Sequence, residues 1–334
     1  MAVHSPPLTA DRESTPPHRR IAVIGAGVMG LSIAHALRLR GHGVTVVADR
    51  SATDSVSGVA AAIWFPYRSG SSPLLASWLR RSKERFERLA ADDACGIDLR
   101  AGTVVERDEH ADRSWAAAVA DPREAPAEAL PPGAVAGLRA TVPVISMPHY
   151  LAWLNRRCEE LGVRFDRRTI TSVGELEGEA DLAVVAAGMR SGDLLDDPTP
   201  YPVRGQVVRL PNPGLTEWIT DEDNPAGITY VVPRRDDVVC GGTADVGSYA
   251  AEPDPATEQA ILERATALVP ALRGLPVLSR AVGLRPARNT IRLEPVEGHP
   301  LPVIACYGHG GAGVTLSWGC AETVCDLVPA QGAA

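Results

Sequence analysis

From Ile21 the chain reads IAVIGAGVMGLSIAHALRLRGHGVTVVADR, and three glycines within it, Gly25, Gly27 and Gly30, limit the fold more than any other feature. They form a GxGxxG pattern directly after a short apolar run and at the start of a helix-like stretch. Glycine at those places permits a tight turn, close approach of a pyrophosphate to the backbone, and close packing of helix on strand. The helix, closed by Gly41, offers the free N–H groups of its first turn to an anion. VTVVADR then reads as a second strand, so the opening is a βαβ unit and predicts a parallel sheet with a crossover helix. A lone GxGxxG also fits a merely structural glycine turn. Asp49, at the end of the second strand where an acid can bind a ribose hydroxyl, favours a dinucleotide. The fingerprint leaves NAD and FAD both open.

At 334 residues, 45% hydrophobic and 22% charged, the chain can bury one large core or two modest ones. A net charge of -8 leaves no broad basic face for phosphates, which argues against nucleic acid and for small-molecule chemistry. Cys95, Cys158, Cys240, Cys306, Cys320 and Cys325 form no CxxC pair and no ligand-spaced cluster, so no metal site is expected and the thiols should be reduced and buried. No apolar run approaches the ~20 residues a membrane helix needs, and the protein is expected to be cytoplasmic. Residues 1–18, rich in Pro, Ser and Thr, read as a disordered leader. Arg19 and Arg20 before the apolar stretch Ile21 to Ala36 have the form of a twin-arginine export signal, but cleavage there would destroy the glycine fingerprint.

Further along, LLASWLRRSKERFERLA reads as an amphipathic helix and DPREAPAEALPPG as surface turns, the whole region from Pro73 to about Ile145 having the look of an insertion. MPHYLAWLNRRCEELGVRF is a helix leading into a strand, and DLAVVAAG a buried strand stopped by Gly188. VRGQVVRL and the hairpin TYVVPRRDDVVCGG alternate as antiparallel strands do. The final segment, VIACYGHGGAGVTLSWGCAETVCDL, is a strand, a glycine-rich loop and a helix.

That second glycine-rich loop separates the two cofactors. Gly308, Gly310, Gly311 and Gly313 lead into a helix whose N-terminus can face an electron-rich group such as a flavin pyrimidine ring, for which an ordinary NAD dehydrogenase has no use. Taken in order, VIGAGVMGLS, VVADR, GVAAAIWFPY, GLRPARNTIRLE and YGHGGAGVTLSWGCA resemble the D-amino-acid oxidase family, from about Ile21 to the last helix. Amine oxidases of the glycine and sarcosine oxidase type share the first fingerprint but not the GLRPAR and YGHGG pair. The expected fold is α/β (α+β overall), a Rossmann-type FAD-binding domain with an interleaved, largely antiparallel substrate-binding domain. Residues 19–68, 145–196 and 283–330 are expected in the former, and 69–144 and 197–282 in the latter.

The resemblance implies that Arg285, in GLRPAR, binds a substrate carboxylate, a task suited to the planar bidentate guanidinium. It gives Tyr230 a hydroxyl contact to the same carboxylate, and Gly311 a backbone carbonyl that accepts from the substrate amine. Gly25, Gly27, Val28, Met29 and Gly30 would meet the pyrophosphate, Asp49 and Arg50 the adenosine end, and Ile170 the adenine through its backbone. Ala60 and Ala61 would touch the flavin, Gly310, Gly313, Val314 and Thr315 would line its ring, and Gly188 joins the cofactor residues. Trp64 and Phe65 fall in the segment passing the active site, with Phe65 standing where the family commonly has a polar amide. Phe65 and Ile219 are expected as apolar walls. Arg288 and Arg292 are given structural roles. His149 and His309 are not needed as bases, and His309 is expected to be a loop residue satisfying backbone groups. Eukaryotic members often carry a longer loop with an additional tyrosine that covers the site; here it is cut to Ala226, Gly227, Ile228 and Thr229.

The implied activity is oxidative deamination of neutral D-amino acids to 2-oxo acids, with ammonia and hydrogen peroxide, by hydride transfer to non-covalent FAD. The expected partners are a D-amino acid and oxygen, with no nucleic acid or membrane, and a homodimer is compatible with the sequence. A glycine/sarcosine-type amine oxidase is the enzymatic alternative. A non-catalytic flavin-binding module is the alternative from another class, and the presence of both Arg285 and Tyr230 argues against it.

Overall fold

Short runs of aliphatic residues with almost no polar side chain build one half of the sheet, and longer alternating strands build the other. A computed structural model describes residues 18–66 and 72–328. Nearly all of the expected leader, Tyr67 of the GVAAAIWFPY segment and residues 329–330 lie outside the described residues. The first elements are β1 (Arg20–Ile24), α1 (Val28–Leu39), β2 (Gly43–Val47), α2 (Val56–Val59), α3 (Pro73–Leu89), β3 (Ile97–Glu106), β4 (Arg123–Glu124), β5 (Ala136–Ile145), α4 (Met147–Glu160), β6 (Arg164–Asp166), β7 (Leu182–Val185) and α5 (Arg190–Leu194). There follow β8 (Tyr201–Pro211), β9 (Trp218–Asp221), β10 (Thr229–Pro233), β11 (Asp237–Gly241), β12 (Asp245–Val246), α6 (Pro255–Leu268), β13 (Ser279–Val296), β14 (Val303–His309) and α7 (Gly313–Leu327).

The fold is mixed α/β, with one continuous sheet ordered β4-β5-β3-β9-β10-β11-β8-β13-β14-β7-β1-β2-β6 and β12 beside β8. Strands β14, β7, β1, β2 and β6 run parallel, as βαβ connections require. Most of the remaining pairs are antiparallel, the exception being β3 with β9. The 18-residue β13 joins the halves: Ser279 to Ala287 pair with β8, and Arg292 to Val296 with β14. The domain boundary expected at 283 therefore falls inside a strand.

Helix α1 is buried on nearly every side, which explains its run of apolar residues. It lies among the sheet, α4 and α7, within the largest apolar cluster. Helix α3 is amphipathic, burying Trp78, Leu79, Ser82 and Phe86. Its start is capped by Ser72 Oγ, which accepts from Leu75 N–H, with Pro73 in the first turn. Although the sequence groups α3 with the substrate-binding part, it docks on α7: Trp78 Nε1 donates to Thr323 Oγ1 (2.8 Å), and Gly319 N–H donates to Ser82 Oγ (2.8 Å). All six cysteines are buried free thiols. Among the described residues no helix is long and apolar enough to cross a membrane.

Candidate functional site

A cavity of about 1270 Å³ runs from the β1–α1 turn, past α2 and the start of α7, to the face of the antiparallel sheet around Arg285. Ordinary small-molecule pockets span roughly 300–1,000 Å³, so this one suits an extended dinucleotide together with a substrate. At its first end Gly25 has φ +111°, and a Cβ there would lie 2.4 Å from the Ala186 carbonyl oxygen. A Cβ on Gly30 would lie 1.8 Å from the Gly25 carbonyl oxygen, so Gly30 closes helix onto strand beneath the cavity. Gly27 caps α1 without a side chain, and Ser57 Oγ, from α2, accepts from Val28 N–H at 3.0 Å. Sequence reasoning missed Ser57, because only the folded crossover brings it to the helix start.

Asp49 stands two residues past β2, close to the strand end where the sequence puts it. Arg50 donates to both its carboxylate oxygens (3.0 and 3.1 Å), and these hydrogen bonds hold the Asp49 carboxyl below its usual range. Arg190 was not anticipated: its Nη1 lies 3.6 Å from Asp49, and its Nη2 donates to the Ile170 carbonyl (2.9 Å). Arg190 thus ties together the two places expected at the adenosine end, and it lines the cavity with Gly188.

In the middle of the cavity, Ala60 and Ala61 follow α2, and Phe65 N–H donates to Thr315 Oγ1 (3.5 Å). Helix α7 begins at Gly313 with no side-chain cap and no acidic residue in its first turn. Gly310, Gly311, Gly313, Val314 and Thr315 line the cavity here, so the positive end of a 15-residue helix is available to an electron-rich ring. His309 corrects an expectation: it is the last residue of β14, not a loop residue, and its Nε2 lies 3.5 Å from Cys320 Sγ. Hydrogen bonds from Cys320 and His309 hold the Cys306 thiol below its usual range, while burial pushes Cys320 up.

At the far end, β13 carries Arg285 opposite Val203 of β8, and Arg285 Nη1 donates to the Thr243 carbonyl (2.9 Å). Tyr230 on β10 lines the same end of the cavity, close enough to Arg285 to feel its charge. Burial pushes the Tyr230 phenol up against the pull of Arg285, so it stays protonated and able to donate. Phe65 packs on Trp115 (ring centroids 4.8 Å apart) and Trp218 (6.4 Å), while Trp64 is fully buried in the core. Ile219 is not a wall of this cavity. It pairs with Val231 and packs into the cluster on the opposite sheet face, whereas its neighbour Thr220, opposite Tyr230, lines the cavity. Strand alternation makes that one-residue difference a change of face. Arg288 and Arg292 both bind Asp197 (3.1 and 3.3 Å), which also accepts from the Tyr307 hydroxyl (2.6 Å). His149 lies on the exterior near Asp236.

Residues 20–327 match the DAO family, described as FAD dependent oxidoreductase. The chain is 46% identical over 314 residues to a D-amino-acid oxidase of Rubrobacter xylanophilus, covering 93% of this chain and 96% of that protein. It is 33% identical over 325 residues to a D-aspartate oxidase of Homo sapiens, covering 92% and 94% respectively. In fold it is similar to the glycine oxidase of Geobacillus kaustophilus, with a TM-score of 0.78 at 18% identity over 93% of this chain and 95% of that one. The glycine cradle, the cavity and these relationships agree: the chain belongs to the DAO family of FAD-dependent oxidoreductases.

Proposed function

We propose that this protein is a D-amino-acid oxidase for neutral D-amino acids, converting D-amino acid, oxygen and water into 2-oxo acid, ammonia and hydrogen peroxide. The observation that carries the reading is the convergence of Arg285 and Tyr230 at one end of a cavity whose other end is a dinucleotide cradle. When bound, FAD would supply the two-electron oxidation chemistry, with oxygen as the final electron acceptor. In this reading Arg285 grips the carboxylate as a charged fork, and Tyr230 adds a neutral donor to the same group. The Gly311 carbonyl accepts from the amine. Those contacts fix two substituents of the α-carbon, so most of the catalysis asked of the protein is orientation. Phe65 gives the site an apolar wall and keeps water from the reacting carbon.

Neutral side chains are favoured over acidic ones because the neighbouring guanidinium, Arg288, is held by Asp197 and by Thr199 Oγ1 (2.6 Å). A peroxide assay over matched D- and L-amino acids, with D-aspartate, glycine and sarcosine included, tests the proposal. Turnover of neutral D-amino acids well above their L-forms is expected. Equal turnover of an L-enantiomer would reject the geometry in which Arg285 holds the carboxylate, the Gly311 carbonyl the amine and the flavin side the α-hydrogen, and preferential turnover of glycine or sarcosine would move the chain to the other amine-oxidase branch.

A further inference from the structure

Arg285 and Tyr230 lie flat on the sheet, and what lies beneath them is glycine. Gly205 and Val203 on β8 point to the same face, with Gly205 opposite Gly283 and Val203 opposite Arg285 across the β8–β13 ladder. The Arg285 side chain folds along that ladder until its guanidinium covers Gly205. A Cβ on Gly205 would fall 2.3 Å from Nη2, 2.4 Å from Cζ and 2.5 Å from Nη1 of Arg285. Gly241 on β11, opposite both Tyr230 and Val207, stands in the same relation to the phenol. Its Cβ would fall 2.2 Å from Cζ and 2.3 Å from the hydroxyl of Tyr230. The guanidinium is held down from its edge by the Thr243 carbonyl, and the Thr243 hydroxyl is itself tied into β8 by accepting from Gln206 N–H (3.0 Å).

We propose that Gly205 and Gly241 form a glycine floor that sets the depth and tilt of the carboxylate-binding pair, making them positioning residues for substrate recognition. The inference rests on the functional reading above. Neither glycine has a positive φ, so neither is there to allow a left-handed backbone. What each supplies is space, and the atoms occupying it are the ends of flexible side chains. A methyl at position 205 therefore displaces the guanidinium and leaves the sheet intact. Moving Nη2 from 2.3 Å to an ordinary contact of 3.4 Å shifts the charged fork by about 1 Å, a misplacement that can cost on the order of 100-fold in kcat/KM. Gly283 provides the internal control. It shares the face and the ladder with Gly205, but a Cβ there meets only Val56 and Val59 side-chain carbons at 3.4 and 3.6 Å.

The experiment compares wild type, Gly205→Ala, Gly241→Ala and Gly283→Ala as FAD-loaded proteins, measuring melting temperature, calorimetric titration with benzoate as a simple carboxylate, and steady-state kinetics on the best neutral D-amino acid. Gly205→Ala is expected to keep its flavin and its melting temperature while benzoate affinity falls at least about tenfold and kcat/KM falls mainly through KM. Gly241→Ala, acting through the neutral Tyr230, should show a smaller loss of the same kind, and Gly283→Ala should behave as wild type. Wild-type affinity for benzoate in Gly205→Ala would overturn the floor while leaving the proposed oxidase intact. Equal losses in Gly205→Ala and Gly283→Ala would overturn it as well, by showing a general disturbance of the ladder. If Gly205→Ala fails to fold, Gly241→Ala decides the matter by the same readouts. A wild-type protein that neither binds benzoate nor oxidises any D-amino acid removes the functional reading and the floor with it.

Discussion

Acid should loosen the cofactor end of this enzyme through one histidine. His35 lies on α1, only 5% exposed, with its ring edge-on to Trp318 of α7 (centroids 5.3 Å apart, 85° between planes) and its Nδ1 without a hydrogen-bond partner. Arg85, from α3, stacks over the other part of Trp318 at 4.8 Å. Burial, then the charges of Arg85 and Arg157, lowers the His35 pKa from 6.5 to about 4. The unfolded chain therefore takes up a proton at higher pH than the native protein does. Above about pH 6.5 both states are neutral at this site and the stability is fully present; it is lost as pH falls from there toward the folded value. A shift from 6.5 to about 4 removes roughly 2 kcal/mol between about pH 8 and about pH 5, with a ceiling near 3.4 kcal/mol in stronger acid. Since α1 and α7 both begin at the cavity, parting them should also release flavin.

The perturbation is His35→Leu, which removes the titration and keeps an apolar filling. Urea unfolding of the FAD-loaded protein, followed by tryptophan fluorescence at the two pH values, gives the stability change for each protein. Any constant packing cost of the substitution cancels when the two pH values are subtracted. Wild type should lose about 2 kcal/mol more than His35→Leu on going to pH 5, and should release fluorescent flavin at a higher pH. Parallel loss in both proteins would show that His35 is protonated in the native state without penalty, and would refute the argument.

Two other outcomes follow from the site. Arg285→Leu should keep FAD but raise KM for every amino acid by an amount equivalent to roughly 2 to 5 kcal/mol, the range for breaking a buried charged pair; unchanged kinetics would remove the carboxylate assignment. The flavin should be non-covalent and leave with the supernatant on acid precipitation, because no cysteine or histidine matches a flavin-linkage pattern of the related amine oxidases, and Cys306 in the cavity lining is the thiol to watch; flavin retained in the pellet would contradict this.

The parts of the molecule that were legible in sequence are those whose cause is local. GxGxxG after an apolar run yields a tight turn wherever it occurs, and Gly25 and Gly30 show the steric reason at 2.4 and 1.8 Å. The parallel strands were readable because both their faces are buried, and the hairpin through Tyr230 because two β-branched runs flank a polar turn. What was not legible depends on register or on distant partners. Ile219 and Thr220 differ by one position, and only pairing with β10 decides which faces the cavity. Ser57 and Arg190 carry no motif, and they acquire a role when the chain brings them to Val28 and Asp49. Gly205 sits inside VRGQVVRL as an unremarked strand glycine, and its use appears only when Arg285, 80 positions later, lies across it.

The connection between β9 and β10 borders the cavity through Glu222 and Ile228. It spans residues 222–228, holds no tyrosine, and is fastened at both ends. Arg107 donates to both carboxylate oxygens of the fully buried Asp221 (3.0 and 2.5 Å), and Asn224 Nδ2 donates to the same carboxylate (2.9 Å). The turn is closed by Ala226 N–H on Asn224 Oδ1 (2.9 Å) and Gly227 N–H on the Asn224 carbonyl (2.8 Å), while Gly242 N–H donates to the Ile228 carbonyl (3.0 Å). A loop this short and this bonded cannot swing over the cavity without breaking the buried Asp221 pairing, which would cost about 3 to 5 kcal/mol. Where a covering loop exists, its opening often sets turnover by holding product. Here product should leave without waiting for this connection, and large apolar side chains should enter beside Phe65 and Ile228 as readily as small ones. Measured along D-alanine, D-valine, D-leucine and D-phenylalanine, kcat/KM should not fall with size, and flavin reduction in a single turnover should match steady-state kcat. A sharp preference for D-alanine, or reduction much faster than turnover because product is retained, would mean that another segment closes the site and that the pinned loop is not what governs access.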